Sequence, residues 1–444
     1  MSDTYSRPMK DSGIEWIGEI PAEWEIRKVK YVLKQDTYGI KIGPFGSTLT
    51  GKTSADGKYN VYSQANLIAD DFSVTKNAIS EKTFQSLSAY VVKSGDICLS
   101  MMGTIGKCKT VPEQIHEGIM DSHLIKLRLE SVIDNRFFEY VYDKDLGGIC
   151  YTQMQYDKKG TIMDGLNTQT VKSLRLPLPP IDIQRKIVFY LDSRCSQIDS
   201  MIASAKANIE DYKALKQSVI TQAVTKGLDP DVEMKDSGVE WIGKIPMHWD
   251  VDKIKYHLTV CEEKGRPDLQ VLSVYRDYGV IPKDSRDDNH NVTSEDTSKY
   301  KVVQPGYLVI NKMKAWQGSM AISDYQGIVS PAYYIYRFTD EKLIARYLHY
   351  LLRTPIYAEE FRRLSAGIRD GQWDLSRSEF EFLRIVVPSQ KEQQQIIRYI
   401  DSKSSGIDRL ISEQQALIDD LEAAKKSLIY ECVTGKRRVP DVKE

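Results

Sequence analysis

The sequence predicts an α+β protein: two mixed α/β domains related by a pseudo-twofold, joined by two long helices that form an antiparallel coiled coil. Three observations carry this expectation. MKDSGIEWIGEIPAEWEIRKVKYVL, from Met9, returns as MKDSGVEWIGKIPMHWDVDKIKYHL, from Met234, with 16 of 25 positions identical. QRKIVFYLDSRCSQIDSMI, from Gln184, returns as QQQIIRYIDSKSSGIDRLI, from Gln393. A repeat of this length makes each half a structural unit. Third, apolar residues recur at alternating three- and four-residue steps, with one gap, at Ile187, Leu191, Ile198, Ile202, Ala205, Ile209, Tyr212 and Val219. Ile396, Ile400, Ile407, Ile411, Ile418, Leu421 and Leu428 do the same in the second copy. So narrow a seam belongs to a helix packed on another helix.

Each half reads as a box, a variable segment and a helix. The expected boundaries are a repeat box at 1–33, a first variable domain at 34–180 and a helix at 181–226. A linker with the second box follows at 227–258, then a second variable domain at 259–388, a helix at 389–433 and a tail at 434–444. In the variable segments VYSQANLI, YVVKSGDICLS, HLIKLRL, LQVLSVY, YKVVQPGYLVIN and AYYIYRF have the alternation or short apolar runs of strands. DNRFFEYVYDKDL and DEKLIARYLHYLLRT have helical spacing. YVVKSGDICLS and YKVVQPGYLVIN share a ground plan but few side chains, which suggests one fold reading two different things. At about 1.5 Å per residue, roughly 40 helical residues give a rod of about 60 Å, a ruler longer than one DNA turn of about 34 Å. Pro-Asp-Val at 230–232 and 440–442 places the tail where the chain could lead back to the first box.

With 41% apolar and 28% charged residues the chain is an ordinary globular protein. No run of eighteen apolar residues exists and MSDTYSRPMKDSG lacks the apolar core of a signal peptide, so a cytoplasmic protein is expected. The six cysteines, Cys98, Cys108, Cys150, Cys195, Cys261 and Cys432, are scattered singly, as reduced thiols are. Two similar halves match a ligand with two similar halves, and duplex DNA is the commonest. A net charge of −1 counts against that. Local charge weakens the objection, because Lys299, Lys301, Lys312 and Lys314 fall in a stretch from 299 to 323 without an acid.

No catalytic motif is present. There is no NPPY or DPPY tetrapeptide, no FxGxG loop for S-adenosylmethionine and no PD…(D/E)xK core; GSTLTGKT at 46–53 matches the GxxxxGK[ST] string, but the turn-rich SADGKYN that follows is not the helix a phosphate loop opens into. The six histidines make no HExxH or comparable metal pattern. The chain is therefore expected to be non-catalytic, with no cofactor and no metal.

Over essentially its full length the chain resembles the specificity subunits of type I restriction-modification systems. The residues that carry the resemblance are the MKDSGIEWIGEIP box, GPFGS at Gly43–Ser47, SGDICLSMMGTIGK from Ser94, PGYLVINKMKAWQG from Pro305 and GIVSPAYYIY from Gly327. LPLPP and IVVPS close the variable domains before each helix. The chain departs mildly from the family pattern where PSQKEQQQ replaces a double proline and IDIQRK lacks a Glu before its Gln. The resemblance implies that each variable segment is a target-recognition domain reading one half of a bipartite double-stranded DNA target, with the helices as spacer. It also implies docking of modification (methyltransferase) subunits, two of them, and through the complex of restriction (translocase/nuclease) subunits. An autonomous DNA methyltransferase and a coiled-coil scaffold with no DNA role are the alternatives.

The candidate DNA contacts follow from residue chemistry. The GPFGS turn, with Ser47 and the flanking Lys41 and Lys52, suits either a phosphate cradle or a tight turn bounding the first recognition strand. In NKMKAWQG, Asn311, Lys312, Lys314, Trp316 and Gln317 combine donors, charge and an aromatic face, the groups that read base edges or phosphates. Gln64, Asn66, Arg276 and Tyr278 follow strands. Arg369, Gln372 and Trp373 lie in a polar loop, AGIRDGQWDLS, and Thr161, Asn167 and Thr168 occupy the parallel region of the first half. Trp16, Trp24, Trp241 and Trp249 of the boxes either dock a partner or pack against the ends of the coil.

Overall fold

The computed structural model describes residues 7–36, 39–55, 57–157, 166–276, 278–285, 293–294, 296–369 and 372–440. Two long helices, Ile181–Lys226 and Gln390–Val433, follow Pro179-Pro180 and Pro388-Ser389. A proline just before or at the first turn costs no helical hydrogen bond. Each helix leads into a glycine in the left-handed region, Gly227 at φ +81° and Gly435 at φ +72°, where a side chain would be strained.

The chain forms two compact units, and each takes a piece of both helices. The first comprises residues 1–205 and 416–444, the second 206–415. In the first, Asp199 pairs with Lys425 at 2.7 Å; in the second, Lys216 pairs with Asp408 at 2.7 Å and Asn208 with Gln414 at 3.5 Å. Numbering rises along one helix as it falls along the other, so the pairing is antiparallel. Ile187, Leu191, Ile202, Ala205, Ile209, Ile396, Ile400, Ile407 and Ile418 are buried. The gap in the first apolar seam is filled by Cys195, also buried.

The boxes fold identically. Met9–Asp11 pairs antiparallel with Glu19–Pro21, and Met234–Asp236 with Lys244–Pro246. Asp11 Oδ1 accepts from the amide of Gly13 at 2.9 Å and Asp236 Oδ1 from that of Gly238 at 2.8 Å. The next strand of each box closes on the last strand of its own variable segment: Glu25–Lys28 on Arg175–Leu178, and Asp250–Lys253 on Arg384–Val387. Within the first unit the far end of the second helix meets the first box. Arg7 donates to the Gly435 carbonyl, and the Tyr430 hydroxyl donates to the Trp16 carbonyl at 2.8 Å.

The variable segments share a four-stranded antiparallel sheet. Its order is Cys108–Thr110, Ile97–Ser100, Leu124–Leu127, Ile40–Ile42 in the first unit, and Met320–Ile322, Leu308–Asn311, Tyr333–Phe338, Leu258–Val260 in the second. A second sheet layer accompanies each, with Gly118–Met120 parallel to Tyr59–Tyr62 in one copy and a parallel bridge from Val271 to Ile328 in the other. Helices Asn135–Tyr142 and Ala345–Leu352 cover the four-stranded sheets.

Two local expectations are corrected. VYSQANLI is not one strand: the strand ends at Tyr62 and Gln64–Ala69 is a helix. Ser63 caps it, accepting from the amide of Ala65 at 3.3 Å while the Asn66 side chain takes the Ser63 amide at 3.0 Å, and this reciprocal cap outweighs the apolar alternation. AGIRDGQWDLS is not a plain loop either, since Ser365–Arg369 and Gln372–Leu375 pair as antiparallel strands with a register shift near Gly367.

A buried polar frame, which the apolar pattern did not reveal, is repeated in both units. Gln184 and Gln393 are fully buried. Gln184 takes the Asp134 amide at 2.8 Å and donates to the carbonyls of Val132 at 3.0 Å and Pro179 at 2.8 Å. Gln393 does the same with Ile344, Lys342 and Pro388, at 2.8, 2.7 and 2.9 Å. Asp192 binds Arg136 at 2.9 Å and the Tyr140 hydroxyl at 2.6 Å; Asp401 binds Arg346 at 2.9 Å and the Tyr350 hydroxyl at 2.6 Å. These contacts fasten each variable domain to its long helix.

Candidate nucleic-acid interface

In the first unit the ends of both sheet layers converge on four short segments: 43–47, 63–64, 101–106 and 121–123. They are stitched together by backbone. Gly43 donates to Leu124 at 2.9 Å, Met101 to the His123 carbonyl at 2.8 Å and Asp121 to Tyr62 at 2.8 Å. A Cβ at Gly43 would lie 1.7 Å from the Asp121 carbonyl oxygen, so only glycine allows this approach. The turn that follows presents Phe45, 85% exposed, beside exposed Ser47. Gln64 Oε1 accepts from Thr104 Oγ1 at 3.4 Å, and Asp121 holds the His123 ring at 3.2 Å. Leu166 donates to the Met101 carbonyl at 2.9 Å, which brings Asn167 and Thr168 to the neighbourhood of the same loop.

Sequence reasoning missed Phe45, Met102, Thr104 and His123 here. A Pro-Phe between two glycines is a signal that could have flagged Phe45, because the flanking glycines mark a tight turn with the aromatic side chain at its tip. Lys41 stands back from the tip, half-buried, its ammonium 5.3 Å from the Tyr90 ring centre. Lys52 is exposed beyond the turn. Asn167 Oδ1 accepts from the Thr170 amide at 2.8 Å as a helix cap, on an exposed residue. Thr161 lies outside the described residues.

Asn66 is a correction. It is buried, and its amide donates to the carbonyls of Asp71 at 2.9 Å and Val74 at 2.8 Å while its oxygen caps Ser63. Every polar atom is turned inward, so it shapes the loop and does not read a ligand.

In the second unit two candidate stretches come together. Leu375 donates to the Lys312 carbonyl at 3.0 Å, Lys312 Nζ meets Asp374 at 2.8 Å, and the Trp316 and Trp373 rings lie 5.5 Å apart. The Asp374 hydrogen bond pushes the Lys312 pKa up, so its charge is fixed but already partnered. Arg362, which the sequence did not single out, sits 5.6 Å over the Trp373 ring. Lys314 and Gln317 are exposed; Asn311 Oδ1 accepts from the Met313 amide at 3.2 Å. Trp316 Nε1 is buried without a hydrogen-bond partner. Arg276 and Tyr278 project from the turn after Leu272–Tyr275, with Tyr278 set edge-on to Tyr275 at 6.4 Å. For Arg369 and Gln372 only the strand positions are described.

The basic stretch is less available than its composition suggests. Lys301 is buried, its ammonium on the Tyr333 carbonyl at 3.0 Å and Glu262 at 3.3 Å. Lys299 and Lys314 remain exposed. Trp24 and Trp249 are core residues, 1% and 0% exposed, which corrects the expectation that they meet a partner. Trp249 Nε1 donates to Glu392 at 2.9 Å and Arg7 lies 5.4 Å over Trp24. Trp16 and Trp241 are half-buried against Tyr156 and Tyr357.

Among the described residues no cluster of His, Cys, Asp or Glu could hold a metal ion, and no helix is long and apolar enough to cross a membrane. Burial holds the Cys98, Cys150 and Cys432 thiols up at about 12, far from the range of a nucleophilic thiolate.

Residues 21–210 match the family described as the type I restriction modification DNA specificity domain. The type I restriction enzyme MjaVIII specificity subunit of Methanocaldococcus jannaschii is 23% identical, covering 95% of each chain. The MjaX specificity subunit of the same organism is 24% identical, covering 95% of this chain and 96% of its own. A chain solved in a study of assembly and conformational transition of the type I R-M system superposes with a TM-score of 0.68 at 14% identity, covering 94% of this chain and 99% of its own. The HsdS subunit from Thermoanaerobacter tengcongensis superposes with a TM-score of 0.50 at 14% identity, over 94% and 98%.

Proposed function

We propose, from the membership of this chain in the family of type I restriction-modification specificity subunits, that it reads a bipartite DNA target and contributes no chemistry of its own. One observation supports this most directly. The same four-strand frame carries unrelated side chains at the same end of each unit: Phe45, Ser47, Gln64 and His123 in one, Arg276, Tyr278, Lys314, Trp316 and Gln317 in the other. A constant frame with two different tips suits two different half-sites.

In this reading each tip enters a major groove. Lys314 and Ser47 set register on phosphates, and amide, guanidinium and aromatic groups discriminate base edges. The paired helices fix the gap. Two modification subunits transfer the methyl groups, and restriction subunits join through them. The near-neutral charge accords with a chain that relies on these subunits for much of its non-specific affinity.

The test is a long-read methylome of cells expressing this chain with its modification subunit, against cells lacking this chain. A new bipartite motif with a fixed gap is expected. No new motif, with both proteins present and associated, overturns the reading in favour of a scaffold.

A further inference from the structure

The internal repeat allows conservation to be read inside one chain. Buried positions that match between the boxes, such as Ile17 with Ile242, Ile20 with Ile245 and Trp24 with Trp249, are explained by packing. Solvent-facing positions that match are not. Lys28, Lys30 and Tyr31 return as Lys253, Lys255 and Tyr256. Arg175, which pairs in register with Lys28, returns as Arg384, which pairs with Lys253. Tyr31 and Tyr256 are each 59% exposed.

Each copy is a small cationic face around a tyrosine. In the first unit Lys28, Tyr31 and Arg175 line a shallow groove of roughly 790 Å³ with Lys10, Arg27, Ile26 and a single acid, Glu25. Lys30 lies 4.5 Å from the Tyr31 ring centre. In the second, Lys255 lies 5.8 Å from Tyr256 and 3.7 Å from Phe382, itself half exposed, with Lys253 4.8 Å from the same ring. Among the described residues, Lys28, Lys30, Arg175, Lys253, Lys255 and Arg384 form no ion pair. Glu25 is engaged with Arg27 at 2.8 Å and Asp252 with His257 at 3.1 Å, while Asp250, the counterpart of Glu25, is exposed at the start of its strand.

These faces lie away from the candidate DNA-reading tips. The strand Leu124–Leu127 starts at the 121–123 loop and runs on to Leu129, which bridges Leu33, next to the first face. Six residues of extended chain separate the two ends by about 20 Å. In the second unit Thr339, beyond Tyr333–Phe338, donates to the His257 carbonyl beside Tyr256, again opposite the tips. A duplex seated on the tips does not account for a face at the other end of the sheet.

We propose that this cation–tyrosine face, present once in each unit, docks an acidic surface of a protein that binds the chain twice. Resting on the reading above, that protein is the modification subunit. Uncompensated cations call for carboxylates, and exposed tyrosines supply the anchor that interface centres favour.

The test co-expresses the full chain with its modification subunit and replaces each face separately. Lys30→Glu with Tyr31→Ala is one variant, Lys255→Glu with Tyr256→Ala the second, and all four together the third. Native mass spectrometry and a salt titration count bound modification subunits. Each single-face variant is expected to weaken one of two sites roughly 10- to 100-fold, and the combined variant both. Thermal unfolding of the chain stays as in the wild type, because these side chains are on the surface. Retention of two modification subunits at wild-type affinity by all three variants overturns the proposal. Retention of both with a loss of duplex affinity also overturns it and assigns the face to the phosphate backbone. A wild-type complex that assembles and directs a bipartite methylation motif while the variants dock normally sinks this face alone. A wild-type chain that never associates with the modification subunit sinks the function and the face together.

Discussion

The two ends of each variable domain obey different rules. Where the domain meets its long helix, the copies are almost interchangeable: Gln184 and Gln393 make the same three hydrogen bonds, and Asp192 and Asp401 hold the same Arg–Tyr pair. At the opposite end, the matched tips share neither charge nor shape. Interchangeable side chains at one end show what the fold requires; dissimilar ones at the other show what it leaves open.

The largest effect should come from the shared end. Gln184→Leu leaves the Pro179 carbonyl buried without a partner, at about 1–3 kcal/mol, and unpairs the partly covered Asp134 amide and Val132 carbonyl, at about 0.5–1.5 kcal/mol each. Gln393→Leu does the same in its own unit. Hydrogen exchange on the helices Asn135–Tyr142 and Ala345–Leu352 should show local destabilisation of about 3 kcal/mol or more in each. If one substitution is mild and the other severe, the two frames are not energetically equivalent, and the comparison breaks.

A second effect separates the copies. In the first unit the edge strand Cys108–Thr110 is capped by carboxylates, Asp143 on the Cys108 amide at 2.8 Å and Glu139 on that of Thr110 at 2.5 Å. His349 takes the place of Glu139 in the second, with Nδ1 accepting from the Ile322 amide at 3.5 Å. Burial, helped by Arg353 and Arg346, lowers the His349 pKa to about 4. Below about 6.5 the unfolded chain therefore takes up a proton that the folded chain refuses. Stability that is complete above pH 6.5 is lost progressively as pH falls toward 4, by about 3 kcal/mol at the end of that window. Exchange of the Ile322 amide, corrected for intrinsic rate, should rise between pH 7 and 5. His349→Gln should remove that rise; a rise that survives the substitution assigns the acid sensitivity to another group.

The sequence made the shared end legible because repeats and heptads are written in residue identity. It supplied the boxes, the helices and the antiparallel pairing. Cys195 escaped because it is a small apolar thiol in a seam of isoleucines. Ser63 and Asn66 misled because a reciprocal cap needs only two residues, and those residues interrupt what otherwise alternates like a strand. The tips were partly legible. Lys312 and Trp373 were both singled out, yet the contacts joining their segments link residues some sixty positions apart, which no local pattern encodes. Arg362 was missed for the same reason, since ring stacking is a property of the folded chain; Phe45 was missed although its Pro-Phe between two glycines could be read locally.

At the tips a smaller effect is expected, confined to one half of the target. Gln317→Ala should cost about 1–3 kcal/mol in duplex affinity of the assembled complex if it reads a base, whereas Lys314→Ala should weaken binding uniformly across sequences with a shallower salt dependence. With Gln317→Ala, discrimination should relax in the half-site of the second unit only. Gln64→Ala should relax the other half alone. Relaxation of both halves by one substitution would contradict independent tips. A uniform loss across sequences, with a shallower salt dependence, moves that residue from base reading to phosphate contact.

The smallest effect lies in the coil. Asp199–Lys425 and Lys216–Asp408 are the same pair seen from the two units, each at 2.7 Å. Lys425 and Lys216 are partly covered, whereas both aspartates are more than half exposed. Water and salt screen such pairs, and each is worth about 0–1 kcal/mol. Their use is in setting register, because a shift of one helical turn would place like side chains of the seam out of step while leaving both lysines without acids. Lys216→Ala should hardly move the unfolding transition. Exchanging Asp408 and Lys216 for one another should restore whatever Asp408→Lys alone removes, to within the same fraction of a kcal/mol. A swap that fails to restore it means that the geometry around the pair, and not its charge, holds the helices in step.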